Sequence, residues 1–415
     1  MEKILLSSWG NNISKEITFT DKIGKGIINV GNQNSYGDCF IPKNKYAIKT
    51  KNLENEIDYF HPSSITINDL LAINKIGLYG VPGKSNVTIG GAIASDTHGK
   101  DNIWGGSFEK NINEIYIQLP NGEKLVISRD NEFEIFESTI GGYGLTGSIL
   151  GCSLIDQLPS FSDFYSKSIK TGSGIGNLLS SITFENEVYT VCWVDLLSSK
   201  NNWVVENYKE YSSSKKNKHN MKNNELSISI PFIGNNSLGS MSIVNKVYYY
   251  KNKLYQNNIV NFQKALYPLG LITDTRNVSK NRKIIQVQFS IPNTEESNLE
   301  DLINYLIYNQ TPILCSIKKL NNSKNYNNLS FHQNGWTVAV DFPYEKFNIK
   351  SIRYFYKKLI EHSGKIYLAK DSTLNIDEFQ KMYPEYRQWK KIIKKIDPKN
   401  IYQSELSYRL ELKKW

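Results

Sequence analysis

The chain of 415 residues contains few cysteines and no long apolar run. Its four cysteines are far apart and lack the spacing of metal ligands, so we expect free thiols in a reducing compartment and no metal site. No stretch of about 18 apolar residues occurs, which argues against a membrane-spanning helix. The N-terminal sequence MEKILLSSWGNN turns polar too soon for a secretory signal. These absences predict a cytoplasmic protein.

The composition is that of a folded protein. Hydrophobic residues make up 40% and charged residues 22% of the chain, which argues against extended disorder. At about 150 residues per domain, the length predicts two or three domains.

The formal net charge of +10 has two interpretations. Dispersed lysines, in a chain rich in Lys and Asn, are typical of a solvated surface. The same excess of positive charge would attract anionic ligands or an anionic membrane surface. No recognition helix or aromatic stacking motif accompanies the charge, so we expect no nucleic-acid partner.

Three glycine-rich segments stand out in the N-terminal part of the chain. They are VGNQNSYGD (residues 30–38), VPGKSNVTIGGAIASDTHG (81–99) and GGYGLTG (141–147). The second segment combines a Pro-Gly turn, a predicted β-branched strand at 87–89, a Gly-Gly pair and a His-Gly corner. Such glycines let backbone N–H groups approach a ligand closely, and the ligand that suits a row of these donors is a phosphate or pyrophosphate.

Further motifs follow these loops in order along nearly the whole chain: DTHGK (96–100), GSF (106–108), GW (335–336), VDFP (340–343), YLAKDS (367–372) and DP (397–398). This ordered set resembles the PCMH-type FAD-binding fold of the vanillyl-alcohol-oxidase superfamily, and within it the oxidases that act on decaprenylphosphoryl-ribose. The resemblance implies an α+β protein of two domains. Residues 1–165 and 365–415 would form a discontinuous FAD-binding domain to which the C-terminal tail returns. Residues 166–364 would form a substrate-binding cap domain on a large antiparallel sheet.

Local patterns predict several elements of this fold. Alternation of apolar and polar residues predicts strands around 285–289, 312–320 and 335–342, with an apolar face on helices and a mixed face toward a ligand. The Asn-Gly pair at 121–122 predicts a hairpin. The pattern further predicts a helix from Ile349 to Gly364, a strand at 365–370 and a helical stretch at 379–396 interrupted near Pro384. Residues 172–176 are expected to turn into a short helix, and the polar residues 209–224 to form a mobile loop.

The resemblance implies an FAD held by the three glycine loops, with its pyrophosphate against the first two. Relatives with covalent flavin have a histidine where this chain has Asn34, so we expect non-covalent FAD. Non-covalent relatives often have arginine at that site and glycine before it, so Gln33 and Asn34 depart from both patterns. The residues expected to bind FAD are Gly31, Asn34, Ser35, Tyr36, Gly37, Asp38, Pro82, Gly83, Val87, Gly90, Gly91, Ala94, Ser95, Thr97, His98, Gly99, Ser107, Gly142, Gly144 and Gly147.

The resemblance assigns catalytic roles to Lys370 and His98. Oxidation of a secondary alcohol needs a group that accepts the hydroxyl proton, and Lys370, at the end of the predicted strand, matches the family's essential lysine. His98 would lie at the isoalloxazine edge and titrate near neutrality. The alternatives are a solvated surface lysine and a histidine that only holds its loop.

Side chains of the mixed sheet face match family residues around the sugar and its phosphate. Lys318 offers a charge for the phosphate, and Trp193 and Tyr36 offer apolar walls. The alternative is an ordinary solvated sheet face. Family members often have cysteine where this chain has Ala339. The residues expected to bind substrate are Trp193, Gln286, Gln288, Lys318, Thr337, Tyr367 and Lys370.

The resemblance predicts FAD-dependent oxidation of a sugar C2 hydroxyl on a polyprenyl-phosphate-linked pentose or related glycoside, with hydride passing to flavin N5. A short-chain dehydrogenase/reductase partner would take the keto product and complete an epimerisation in cell-envelope polysaccharide synthesis. A polyol or aldonolactone oxidase using oxygen and a non-catalytic flavin-fold binding subunit are the alternatives. The lipid-linked sugar phosphate predicts weak peripheral association with the inner membrane face, through Lys215, Lys216 and Lys218.

Overall fold

A computed structural model shows a mixed α and β architecture built around three sheets. The described residues are 3–50, 56–74, 77–159, 162–182, 187–211, 238–254, 257–267, 283–321 and 329–415. The strands are β1 (Lys3–Ser7), β2 (Ser14–Phe19), β3 (Asn29–Val30), β4 (Tyr46–Lys49), β5 (His61–Pro62), β6 (Ile112–Gln118), β7 (Lys124–Ser128), β8 (Ser148–Leu154), β9 (Phe164–Ser173), β10 (Tyr189–Asp195), β11 (Asn202–Glu210), β12 (Asn257–Asn261), β13 (Ile284–Pro292), β14 (Leu314–Leu320), β15 (Gly335–Pro343) and β16 (Lys365–Ile366).

The helices of the described residues mostly border the sheets. They are α1 (Ile67–Asn74), α2 (Ile89–Ser95), α3 (Asn102–Gly105), α4 (Phe133–Thr139), α5 (Ile175–Ser181), α6 (Leu238–Leu254), α7 (Phe262–Leu266), α8 (Leu299–Asn309), α9 (Ile349–Glu361), α10 (Ile376–Met382), α11 (Tyr386–Ile396) and α12 (Glu405–Arg409). The predicted break near Pro384 is confirmed, because α10 ends before it and α11 begins after it. The predicted helix from Ile349 is likewise confirmed as α9.

The largest sheet has eight strands in the order β12-β9-β11-β10-β14-β15-β13-β16, and all its pairings are antiparallel. Alternation along β13 gives it two faces, as predicted. Ile285, Val287 and Phe289 are buried on the first face, and the Phe289 ring packs 5.2 Å from that of Phe355 in α9. The opposite face of β13 carries the polar side chains that matter for the site.

Two four-stranded sheets are formed by the N-terminal part of the chain, in the orders β1-β2-β4-β3 and β5-β8-β6-β7. Strands β6 and β7 make the predicted hairpin around residues 121–122. Ile89 and Ile93 of α2 join a buried apolar cluster with Ile115 and Ile117 of β6. This packing fixes α2, and with it the second glycine loop, on the β6 sheet.

Two local predictions are wrong. Residues 87–89 do not form a strand, because the Thr88 hydroxyl accepts a hydrogen bond from the N–H of Gly91 (3.2 Å) and caps helix α2, which begins at Ile89. The strand expected at 365–370 is limited to β16. The chain then turns, with the N–H of Lys370 donating to the carbonyl of Tyr367 (2.9 Å), so Lys370 lies in a turn and not at a strand end.

The C-terminal tail packs against the N-terminal part of the chain. The indole N–H of Trp389 donates to the carbonyl of Ser138 (3.0 Å), and the hydroxyls of Tyr402 and Ser148 share a hydrogen bond (2.7 Å). The large sheet runs from Phe164 to residue 366, two residues beyond each end of the expected cap domain. The domain division itself stays a prediction.

Within the described ranges, no helix has the length and apolarity needed to cross a membrane. The same residues contain no group of three or more His, Cys, Asp or Glu side chains that could hold a metal ion. All four cysteines are buried free thiols. Of the expected mobile loop, residues 209–210 belong to β11, whereas 212–224, with Lys215, Lys216 and Lys218, lie outside the described residues.

A buried ion pair between Lys413 and Asp397 holds the end of the tail. The Lys413 ammonium also donates to the carbonyls of Tyr402 (2.9 Å) and Leu145 (3.2 Å), the latter in the third glycine loop. The Asp397 carboxylate accepts the backbone N–H groups of Ile401 and Tyr402 at 2.8 and 3.0 Å. Loss of the cation would therefore leave a buried carboxylate without its charge partner.

Lys413→Ala should lower the free energy of unfolding by about 3–5 kcal/mol, the usual cost of breaking a buried ion pair from one side. Denaturant unfolding followed by circular dichroism measures the change. Lys414→Ala is the matched control, because its exposed ammonium pairs with Glu411 at the surface, and it should unfold like the wild type. Equal losses in both variants would contradict this assignment.

Candidate active site

One cavity of about 350 Å³ lies where the three glycine loops meet the polar face of the large sheet. Its volume is typical of small-molecule sites. The structure brings residues of the expected cofactor, substrate and catalytic sets together here. Those that line the cavity are Gly31, Asn34, Ser35, Tyr36, Pro82, Gly83, Val87, Gly90, Gly91, Ala94, Ser95, Thr97, His98, Gly144, Gly147, Gln286, Gln288, Lys318, Tyr367 and Lys370.

Three of the expected glycines lie behind the cavity wall, where backbone segments approach closely. A Cβ on Gly37 would lie 2.0 Å from the carbonyl oxygen of Asp371, and one on Gly142 would lie 2.1 Å from that of Ser138. Gly99 is packed almost as tightly, with 2.7 Å from its Cβ position to a backbone oxygen. These glycines shape the cavity without lining it.

Thr337 and Trp193 also lie outside the lining. The Thr337 hydroxyl is 3.1 Å from the amide nitrogen of Gln288 and supports that side chain from the next strand. The Trp193 ring packs 4.9 Å from that of Tyr248 in α6. Its cross-strand partner Ser316 lines the cavity, so Trp193 stands one strand away from it. The prediction that Trp193 forms a cavity wall is wrong, because α6 packs over β10 at this point.

Asp38 belongs to a buried ion cluster that sequence reasoning did not detect. Arg409 donates to both carboxylate oxygens of Asp38 at 2.9 Å, and one of its nitrogens also donates to Asp371 at 2.9 Å. A fourth hydrogen bond joins Arg409 to the carbonyl of Leu374 (2.6 Å). The cluster ties the first glycine loop to the turn that carries Lys370.

The cavity is positively charged. Among its described lining residues there is no Asp or Glu, whereas Lys84, Lys318 and Lys370 all contribute to the wall. Burial lowers the pKa of Lys318 and of Lys370 to about 8 in each case. Amines in a site poor in water stabilise a bound anion strongly, so the cavity suits an anionic ligand.

The first glycine loop has the features of a ligand cradle. The buried side-chain oxygen of Asn34 accepts no hydrogen bond from any described residue, although buried polar atoms usually have partners. A Cβ on Gly31 would lie 2.7 Å from the hydroxyl of Thr88, so the first two loops pack closely. Gln33 adopts φ of 55°, a left-handed conformation that glycine reaches more easily. The lysines of the cavity and its lack of acidic side chains fit the anionic diphosphate of FAD, and the unpaired oxygen of Asn34 fits a hydroxyl or N–H donor of the cofactor.

His98 lies in the cavity wall between Lys318 and Gln288, and its backbone pairs with Ser107 in a single β-bridge. Its Nδ1 is 3.2 Å from the Lys318 ammonium, and its Nε2 is 2.8 Å from the Gln288 amide. The imidazole therefore lies between two nitrogen donors, the Lys318 ammonium and the Gln288 amide, and the amide nitrogen also donates to the Thr337 hydroxyl (3.1 Å). Burial, together with the charge of Lys318, holds the pKa of His98 well below its usual range. The predicted titration near neutrality is therefore wrong.

Lys370 reaches the cavity from the turn after β16. Its ammonium lies 4.5 Å from the centre of the Tyr36 ring, and its side chain is partly buried. Burial lowers its pKa to about 8, against the attraction of the Asp341 carboxylate. This is not the environment of a solvated surface lysine. An amine of this pKa releases and accepts a proton near neutral pH.

Sequence reasoning also missed the roles of Asp341 and His332. The Asp341 carboxylate accepts a hydrogen bond from Gln286 (2.6 Å), and burial raises its pKa to about 6. Strand alternation places Asp341 on the same face of β15 as Ala339, so the sequence pattern could have predicted that Asp341 lies near the site. The His332 ring lies 5.7 Å from that of His98, and no pattern in the sequence predicts this contact.

Lys318→Met should raise the pKa of His98, because it removes the nearest positive charge from a buried imidazole. NMR titration of isotopically labelled histidines measures the change, and the chain has only five of them. Lys319→Met is the matched control, since the neighbouring side chain bonds Glu296 (3.0 Å). The same His98 titration in the wild type and both variants would contradict the assigned contact.

Comparison with known proteins adds independent evidence. No protein-family model matches the chain. The chain is 26% identical over 350 residues to the decaprenylphosphoryl-β-D-ribose oxidase of Mycolicibacterium smegmatis, a match that covers 80% of this chain and 75% of that protein. A 73-residue segment, 18% of this chain, is 36% identical to an uncharacterized protein of the mprA 5′ region in Streptomyces coelicolor, over 19% of its length. The first relative is an oxidase, which supports the expected oxidoreductase class. The chain is thus a relative of decaprenylphosphoryl-β-D-ribose oxidase, and the resemblance indicated by its motifs is confirmed.

Proposed function

We propose that this protein is an FAD-dependent oxidoreductase that oxidises the C2 hydroxyl of a pentose, or a related glycoside, carried on a polyprenyl phosphate. The observation that carries the proposal is the cavity in which three glycine loops, Lys370 and Lys318 meet and whose described lining contains no acidic residue. The name of the Mycolicibacterium relative specifies decaprenylphosphoryl-β-D-ribose, a molecule of this class.

In this proposal the three glycine loops would hold FAD, with its diphosphate against the first two, and the bound flavin would supply hydride acceptance. The binding is non-covalent. Asn34 cannot form a histidyl linkage, and burial raises the pKa of the Cys39 thiol in the cavity wall to about 12, so it stays protonated. Residues 1–165 and 365–415 make up the FAD-binding domain, and 166–364 the cap.

Lys370 is the proposed proton acceptor. Its neutral amine takes the proton from the sugar hydroxyl, and the Asp341 carboxylate stabilises the ammonium that forms, as its effect on the pKa of Lys370 indicates. The Tyr36 ring beside the amine excludes water from one side. His98 is neutral, because its pKa is held well below its usual range, and it contacts both Lys318 and Gln288, so it positions these side chains without adding charge.

The sheet face binds the rest of the substrate. Lys318 provides a cation for the phosphate, and Gln286 and Gln288 provide amides for sugar hydroxyls, with Thr337 supporting Gln288. Tyr367 lines the wall beside His98, with the two ring centres 5.6 Å apart, and a hydrogen bond from its hydroxyl to the carbonyl of Ser95 (2.7 Å) holds it there. The ketone product requires a separate reductase, for which a short-chain dehydrogenase/reductase is the partner we expect in an epimerisation serving cell-envelope polysaccharide synthesis.

The purified protein should bind one FAD and show a flavin absorption spectrum. Acid precipitation should release the flavin into the supernatant, because no covalent bond holds it. Flavin that stays with the precipitate would refute non-covalent binding. A protein that takes up no added FAD would refute the proposed function as a whole.

Lys370→Met should retain FAD but slow flavin reduction by a ribosyl phosphate with a short prenyl chain by about 10²–10⁴-fold, the usual contribution of a general base. In the wild type the reduction rate should rise with pH around pH 8, since only the neutral amine accepts a proton and its pKa is about 8. Anaerobic stopped-flow absorbance measures both. Lys365→Met is the control, because that ammonium donates to the carbonyl of Ser330 (3.0 Å), outside the cavity lining. Reduction of Lys370→Met at the wild-type rate would remove Lys370 from the mechanism.

A further inference from the structure

Helix α6 carries an apolar stripe on its outer face. Ile243, Val247, Tyr250 and Leu254 follow the spacing of one helix face, and they are exposed by 64%, 47%, 59% and 79%. Large apolar side chains grouped in this way on a surface usually mark an interaction site.

The inner face of the same helix is fully engaged with the large sheet. The Asn245 amide donates to the buried carboxylate of Asp195 (2.9 Å), and the Tyr248 hydroxyl donates to the buried Glu206 (2.9 Å). Tyr249 is buried in an apolar cluster over β9 and β11. The helix is therefore held firmly by one face, and this orientation keeps the stripe turned outward.

The charge of the helix indicates what the stripe meets. Within its sequence LGSMSIVNKVYYYKNKL there is no acidic residue, and Lys246, Lys251 and Lys253 are all exposed. A helix that combines an apolar stripe with lysines and lacks acids has the composition of interfacial helices that lie on anionic bilayers. Each such lysine is attracted to anionic headgroups, and the attraction is screened by salt.

We propose that α6 docks this protein on an anionic lipid bilayer, with Ile243, Val247, Tyr250 and Leu254 in the headgroup–acyl boundary. The helix borders the candidate active site. Its Tyr248 contacts Trp193, and the residue paired with Trp193 across the strands, Ser316, lines the cavity. Docking by α6 therefore places the membrane surface beside the sheet face proposed to bind a lipid-linked sugar. The link between docking and a lipid-linked substrate rests on the proposed function, whereas the docking itself does not.

The proposal is tested by co-sedimentation of the FAD-loaded protein with vesicles of phosphatidylcholine alone or mixed with phosphatidylglycerol. We expect binding to the mixed vesicles, at least tenfold weaker binding to phosphatidylcholine, and loss of binding in 0.5 M salt, where the Debye length is about 4 Å instead of about 30 Å at 0.01 M. Val247→Glu/Leu254→Glu should bind the mixed vesicles at least tenfold less. Tyr308→Glu, which alters a side chain exposed by 84% on α8, should bind like the wild type.

The flavin spectrum of each variant shows whether it is folded. Oxidation of a short-prenyl substrate in solution does not need the bilayer, so it tests the proposed function separately from docking. As a second measurement, a fluorophore on Val247→Cys should shift to the blue on mixed vesicles, whereas one on Tyr308→Cys should not. Equal vesicle binding by the double variant and the wild type would overturn the proposal. A wild-type dimer that the double variant converts to a monomer would assign the stripe to a second copy of the chain instead.

Discussion

The contact of Arg409 with Asp38 and Asp371 is the interaction on which the site depends. Burial opposes the charge of the guanidinium, yet Asp371 and Asp38 raise the pKa of Arg409 above its ordinary value. The fork of donors satisfies two carboxylates that would otherwise repel each other in the protein interior. Because Asp38 ends the first glycine loop and Asp371 follows Lys370, the cluster sets the distance between the cofactor cradle and the proposed base. The close approach of Gly37 to Asp371 depends on the same alignment.

The electrostatics of the cavity follow from where the acids are placed. The carboxylates of Asp38 and Asp371 are used by Arg409, and that of Asp341 accepts from Gln286, so none of them lines the cavity. The lysines that do line it are held in a poorly hydrated space, which lowers the pKa of Lys318 and Lys370. A bound phosphate or pyrophosphate would supply the missing negative charge. Burial thus lowers the pKa of Lys370, the proposed base, and it also strengthens the attraction of the protonated lysines for an anion.

One face of the large sheet serves two purposes. Along β13, β14 and β15 it is open and forms the cavity wall, while along β9, β10 and β11 it is covered by α6. The buried Glu206, Asp195 and Trp193 belong to the covered part, where polar groups are satisfied by the helix. The border between the two parts runs between β10 and β14, so a helix that reaches the surface lies next to the site.

The sequence by itself determined the local elements and much of the cavity lining. Period-2 alternation identified β13, β14 and β15 and put Gln286, Gln288 and Lys318 on one face, because adjacent side chains of a strand point to opposite sides. The order of the glycine motifs likewise identified the loops that line the cavity. The strand expected at residues 87–89 failed because the Thr88 cap and the packing of α2 outweigh the local preference of β-branched residues.

Only the tertiary structure decided the contacts between distant segments. Arg409 reaches Asp38 across the whole chain, α6 covers Trp193 outside the cavity, and burial together with the charge of Lys318 keeps His98 neutral. Each of these contacts depends on burial and on the distance between charges from distant segments, and the spacing of residues along one segment encodes neither burial nor that distance. Local periodicity reports which face a side chain takes, whereas pKa values and ion pairs depend on what the rest of the fold places opposite that face.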